Sequence, residues 1–110
     1  MHLTLTDQTF NAHVLETKGV FVVDFGAAWC APCKTVDRIL TELNTDLKNT
    51  ATIYKVDADE SVETASKFGV RGLPTVIIFK DGHDMETMIG LKSKDAYLKV
   101  IQKVIQNVTA

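Results

Sequence analysis

An α/β fold built on a mixed sheet is the expectation for this 110-residue chain. Three observations predict it. Apolar runs of strand length recur at residues 20–25, 53–56 and 75–80. Stretches with apolar residues at helical spacing separate the first two runs and close the chain. Asp81-Gly82, after the third run, is a tight-hairpin signal that adds an antiparallel strand.

Residues 3–5 (Leu-Thr-Leu) can add a short edge strand. Thr6 or Asp7 is placed to cap a first helix carrying Phe10, Val14 and Leu15, closed by Lys18-Gly19. Residues 20–25 are β-branched and aromatic without interruption until Asp24, the pattern of a strand buried on both faces. Val36, Ile39, Leu40, Leu43 and Leu47 mark one face of a long helix. The strand at 53–56 follows, then the acidic turn Asp57-Ala58-Asp59-Glu60 and a short helix over 61–68, stopped by Gly69 at C′. After the strand 75–80 and its partner at 83–89, Ser93 caps a last helix with Tyr97, Leu98, Ile101, Val104, Ile105 and Val108 facing inward. Strands joined through a crossover helix are parallel neighbours or near neighbours.

Composition narrows the function classes. The length suits one domain, residues 1–110, able to bury a core without disulfide or metal support. A net charge of −2 and the absence of a basic or aromatic-basic stripe argue against a nucleic-acid partner. No basic segment followed by an apolar one opens the chain, so no secretory signal is read and the cytosol is the default expectation. The longest apolar runs are too short to span a bilayer.

Both cysteines lie in Trp29-Cys30-Ala31-Pro32-Cys33, at the handover from the first long strand to the long helix. Pro32 suits the first helical turn, where a missing N–H costs nothing. Cys30 then sits where free backbone N–H groups and the helix dipole favour a thiolate. Cys33, nearly one turn on, faces inward beside it. That geometry makes Cys30 the attacking thiol and Cys33 the resolving one in disulfide exchange through a mixed disulfide. Asp24, nine residues before Cys33, is either a buried base with a raised pKa or a strand-end carboxylate that is merely solvated or capping. Lys55 pairs with Asp24 if both point inward and is otherwise a surface residue. Lys34 either adds positive potential near the thiolate or is a solvated helix lysine. Trp29 is either a core aromatic or, with Pro32, Leu73 and Leu91, a wall around the sulfurs. Leu73-Pro74 precedes a strand; cis is the minority state of such bonds, so trans at a strand start is the reading without further information.

Taken together these residues resemble the thioredoxin family. The likeness runs through Val23-Asp24-Phe25, Trp29–Lys34, Lys55-Val56-Asp57, Phe68–Thr75, Phe79–Gly82 and Ile89-Gly90, nearly the whole chain. It implies a thioredoxin fold, with a central mixed sheet of four to five strands flanked by four helices. It also implies a cis Leu73-Pro74 bond facing the disulfide, Asp24 as a proton-transfer carboxylate, and Lys55 as its modulator. Trp29, Ala31, Pro32, Gly72, Leu73, Gly90 and Leu91 fall on the surface that similar proteins use to dock substrates. The implied activity is protein-disulfide reduction by a monomer that binds no cofactor or metal. Electrons would come from NADPH through a flavin-dependent thioredoxin reductase.

Three positions depart from the family pattern. Ala31-Pro32 replaces the common Gly-Pro, Gly26 stands where many members carry a second Trp, and Arg38 replaces a helix-kinking proline, which predicts a straighter helix. Other readings use the same residues. An oxidase or isomerase would want a group between the cysteines, usually His, that favours the thiolate. A metal site would need ligands that His2, His13 and His83 do not supply at the right spacing. A pure docking module would have no need of both cysteines.

Overall fold

The computed structural model describes residues 2–107. Five strands form one mixed sheet in the order β1-β3-β2-β4-β5. They are β1 (Leu3–Leu5), β2 (Val20–Gly26), β3 (Thr52–Asp57), β4 (Thr75–Lys80) and β5 (His83–Ile89). Four helical segments complete the fold: a π-helical turn (Asn11–Leu15), α1 (Ala31–Asp46), α2 (Val62–Lys67) and α3 (Lys94–Gln106). β2 is central, parallel to β3 through the α1 crossover and antiparallel to β4.

Side chains alternate across a strand, so β2 serves two cores at once. Val20 and Val22 pack with Val36, Leu40 and Leu43 of α1 and Tyr97, Ile101 and Val104 of α3. Phe21, Val23 and Phe25 pack on the opposite face with Phe10, Val14, Ala65 and Phe79. By the same parity Asp24 faces α1, following Val20 and Val22. In β3, Ile53 packs against α1 and Val56 does not, which also turns Lys55 toward α1. The register sets Asp24 directly beside Lys55.

Most predicted elements form within a residue or two of their expected limits; the first helix does not. Residues 7–9 are a turn, and only the five-residue π-helical turn follows, without a side-chain cap. Thr6 accepts the N–H of Phe10 through its carbonyl rather than its hydroxyl. Asp7 caps a different helix. Its carboxylate accepts from the Thr64 hydroxyl (2.6 Å) and N–H (2.8 Å) and from the Glu63 N–H (3.4 Å). These first-turn donors of α2 are otherwise orphaned, since Ser61 makes no side-chain cap. The hydrogen bonds to Thr64 hold the Asp7 carboxyl below its usual pKa.

Other local expectations hold. Gly69 follows α2 with φ +69°, and Asp81 and Gly82 both have positive φ, the combination that a tight two-residue hairpin demands. A side chain at Gly82 would also strike the Leu15 carbonyl. Ser93 caps α3, accepting from the Ala96 N–H at 3.1 Å. Lys80 closes the other end of α3, donating to the carbonyls of Val104, Ile105 and Asn107. Val108, expected on the inner face of α3, lies outside the described residues. No helix among the described residues is long and apolar enough to cross a membrane.

Candidate active site

Cys30 is the N-cap of α1, and Pro32 occupies its first turn. The two cysteines are joined as a disulfide with their Cα atoms 5.3 Å apart. Cys30 Sγ accepts a hydrogen bond from the Cys33 N–H at 3.3 Å, so the sulfur takes the place of a capping oxygen. A thiolate there would gain more from that donor and from the helix dipole than a neutral sulfur does. Both sulfurs belong to buried residues.

Behind the disulfide lies an open cleft of about 310 Å³, lined by Asp24, Gly26, Cys33, Asp37, Lys55 and Glu60 among others. Asp24 is 2% exposed, and its Oδ1 has no hydrogen-bond partner among the described residues. Burial, with the Asp37 carboxylate nearby, pushes its pKa up to about 7 against a smaller opposing pull from Lys55. The solvated strand-end reading of Asp24 therefore fails. Lys55 makes its ion pair elsewhere than the sequence suggests: its Nζ stands 3.4 Å from Asp37 Oδ2. Asp37 escaped the sequence reading, although it follows Cys33 by four residues on the same helix and so shares its face. His2, buried at the foot of β1, packs against the same carboxylate at 3.8 Å.

Where β4 begins beside the end of β2, the Leu73–Pro74 bond is cis, against the base rate and as the resemblance implies. The Pro74 carbonyl accepts the Gly90 N–H at 2.8 Å, which ties the two loops together. The fully buried Tyr97 braces this pair from α3, donating to the Gly90 carbonyl and accepting from the Lys92 N–H, each at 3.1 Å. Trp29 is 70% exposed, so it is not a core aromatic. Its Nε1–H donates to Asp59 Oδ2 at 2.7 Å, which fixes the ring; beyond the acidity of that turn, no sequence signal pointed to this partner. A second open cleft, of about 490 Å³, runs beside Trp29 past Val62, Arg71, Gly72 and Leu73. Leu91 is exposed beyond Gly90, and Ala31 and Pro32 are exposed at the start of α1.

A family model described as Thioredoxin matches residues 1–103. The chain belongs to the thioredoxin family.

Relatives agree with that membership along most of the chain. It is 43% identical to the thioredoxin of Bacillus subtilis (strain 168) over 98 residues, covering 89% of this chain and 92% of the relative. Against a thioredoxin of Mycobacterium tuberculosis (strain H37Rv) the identity is 39% over 105 residues, covering 96% and 90%. The solved structure of a mutant thioredoxin from Halobacterium salinarum NRC-1 superposes with a TM-score of 0.86 at 34% identity, covering 97% of this chain and 93% of that one. As a thioredoxin-family protein the chain is a disulfide oxidoreductase, with Cys30 and Cys33 as its active-site pair.

The departures from the thioredoxin pattern acquire locations. At Gly26 a Cβ would stand 3.2 Å from Cys33 Cβ and 3.4 Å from its Sγ, so the missing side chain leaves the cleft open against Cys33. Arg38 sits exposed within α1, which runs without interruption from Ala31 to Asp46. Ala31 adds an exposed methyl beside the disulfide. Lys34 is exposed at the rim of the rear cleft. Among the described residues no group of three or more His, Cys, Asp or Glu is placed to hold a metal ion.

Proposed function

We propose that this thioredoxin-family protein is a general cytosolic reductant of protein disulfides, acting as a single-domain monomer. The Cys30 thiolate attacks a substrate disulfide, forming a mixed disulfide and releasing one substrate sulfur as a thiolate that takes a proton from water. Cys33 then gives its proton to the Asp24 carboxylate through water in the rear cleft and attacks Cys30 Sγ. That step breaks the mixed disulfide, closes the Cys30–Cys33 disulfide and releases the second substrate sulfur as a thiolate, which takes a proton from Asp24 or water. Lys55 modulates Asp24. Two electrons return from NADPH through a flavin-dependent thioredoxin reductase, and the domain itself holds no cofactor.

The single observation that carries this reading is the placement of Cys30 Sγ on the N-terminus of α1, accepting from the Cys33 N–H. It supports Cys30 as the better nucleophile, because only its sulfur sits where the helix end favours negative charge. A carboxyl with a pKa near 7 supports Asp24 as a base, being about half ionised at neutral pH. The substrate dock in this reading is formed by Trp29, Ala31, Pro32, Gly72, Leu73, Gly90 and Leu91. The cis Pro74 holds the Leu73 backbone open for an extended peptide.

Reduction of a test protein disulfide with dithiothreitol as electron source checks the assignment. The wild type should catalyse it, and Cys30→Ser should fall to the uncatalysed rate. Full activity in Cys30→Ser would refute the mechanism. Replacing dithiothreitol by NADPH and a thioredoxin reductase tests the electron source separately.

A further inference from the structure

β1 pairs with β3 in a register that sets Thr4 beside Lys55, so His2, two residues earlier, lies on the α1 side of the same edge. Its imidazole is buried against α1. Nε2 lies 3.2 Å from Thr41 Oγ1 and 3.8 Å from Asp37 Oδ1, and Nδ1 lies 3.5 Å from Asn44 Nδ2. Because the Thr41 hydroxyl donates to the Asp37 carbonyl, a neutral imidazole with its proton on Nε2 fits these contacts. Burial outweighs the pull of Asp37 and keeps the His2 pKa below its ordinary value. Asp37 is thus backed by a neutral group rather than a cation.

Lys55 is therefore the only cation paired with Asp37 among the described residues, and it is also the register neighbour of Asp24. Two carboxylates compete for one ammonium. Asp37 has it at 3.4 Å, while among the described residues Asp24 makes no ion pair. Each keeps one buried oxygen, Asp24 Oδ1 and Asp37 Oδ1, without a hydrogen-bond partner, and both residues line the cleft that reaches Cys33. The other charged groups on that cleft are Lys34 from α1 and Asp57 and Glu60 from the end of β3 and its turn. Tyr97 of α3 also senses the Asp24 charge.

We propose that Asp37 is a positioning residue for the resolving step: it holds the Lys55 ammonium off Asp24 and so decides when Asp24 can take the proton of Cys33. The inference rests on the reading of Asp24 as the base. In water a charge so placed would matter little; in a half-dry cleft it does not relax away. Without Asp37 the Lys55 ammonium turns to Asp24 and holds it ionised to lower pH.

The test follows the Asp24 carboxyl by carbon NMR across pH in the oxidised full chain. Asp37→Asn, which is isosteric, should lower the Asp24 midpoint by about one pH unit, a tenfold loss of proton affinity. Lys55→Gln should raise it. In the Lys55→Gln background, Asp37→Asn should move the midpoint by less than half as much. An unmoved midpoint in Asp37→Asn overturns the proposal, and so does a shift of equal size with Lys55 already removed. Loss of a merely structural contact would change stability without moving this titration. Rapid-mixing measurement of mixed-disulfide resolution then separates the two readings. Its acid limb should shift to lower pH along with the Asp24 midpoint in Asp37→Asn. A midpoint that moves while the limb stays fixed would count against Asp24 as the base, and with it against this role for Asp37.

Discussion

The front and back of the Cys30–Cys33 disulfide are made of different materials. The proposed dock in front comprises Trp29, Pro74, Gly90 and Leu91, apolar or small, with the Pro74 carbonyl tied to the Gly90 N–H. Behind stand Asp24, Asp37, Lys55 and His2, four ionisable groups drawn from β2, α1, β3 and the residue preceding β1. An apolar front can accept many sequences, because burying apolar area is not directional. A charged back does something narrower, since each group there alters the proton affinity of the next. In the proposed mechanism the difference separates choice of substrate from movement of the proton, and substitutions should divide along the same line.

The largest expected effect lies at the back. The native Asp24 carboxyl stays protonated up to about pH 7, whereas an ordinary Asp ionises near 3.8. The folded chain therefore binds more protons than the unfolded chain between those values, and wild-type stability falls as pH rises through that window. Asp24→Asn removes this penalty. Denaturant unfolding should find it more stable than wild type by up to about 4 kcal/mol at pH 8, and equal to wild type near pH 4. Its mixed disulfide should resolve more slowly. Equal stability at pH 8 would mean that Asp24 is not desolvated, and the contrast between the two sides would collapse.

A front substitution should leave that pH dependence alone. Trp29→Ala removes the largest exposed apolar side chain beside the disulfide and should raise KM for a protein substrate about tenfold. KM for a small disulfide should hardly change, nor should the acid limb of the rate profile. A shifted limb would show that the two sides are coupled. The smallest effect belongs to the brace between α3 and the front loops. Tyr97→Phe leaves the Gly90 carbonyl and the Lys92 N–H without their buried partner and should cost about 1–2 kcal/mol in denaturant unfolding. Turnover should be lowered only modestly.

The two sides also differed in how far the chain announced them. The front is written in contiguous segments: Trp29 through Cys33, Gly72 through Pro74, and Gly90-Leu91. Strand period and turn chemistry placed these segments at strand ends, and only the family resemblance favoured the cis Leu73–Pro74 bond. The back is written in register. Asp24 could be named because it interrupts an apolar strand, but whether Lys55 meets it could not be decided, since pairing depends on which strand lies beside β2 and in what alignment. Lys55 was linked to Asp24 and is adjacent to it, yet its ammonium goes to Asp37. Asp37 resembled any helix-surface carboxylate, and the signal that would have found it is its four-residue spacing from Cys33. His2 joins the cluster only because β1 adds to the edge of β3. Asp7 fails for a related reason: a capping residue serves whichever orphaned N–H groups the fold brings near, and here these belong to α2.

The proposed mechanism rests on one assignment, in which Cys30 attacks and Cys33 resolves. Intact-mass analysis of the two serine variants, each reduced and mixed with a protein disulfide substrate, tests it most directly. Cys33→Ser should accumulate a covalent one-to-one adduct that dithiothreitol releases, and Cys30→Ser should form none. An adduct accumulating on Cys30→Ser and not on Cys33→Ser would reverse the roles and contradict the mechanism.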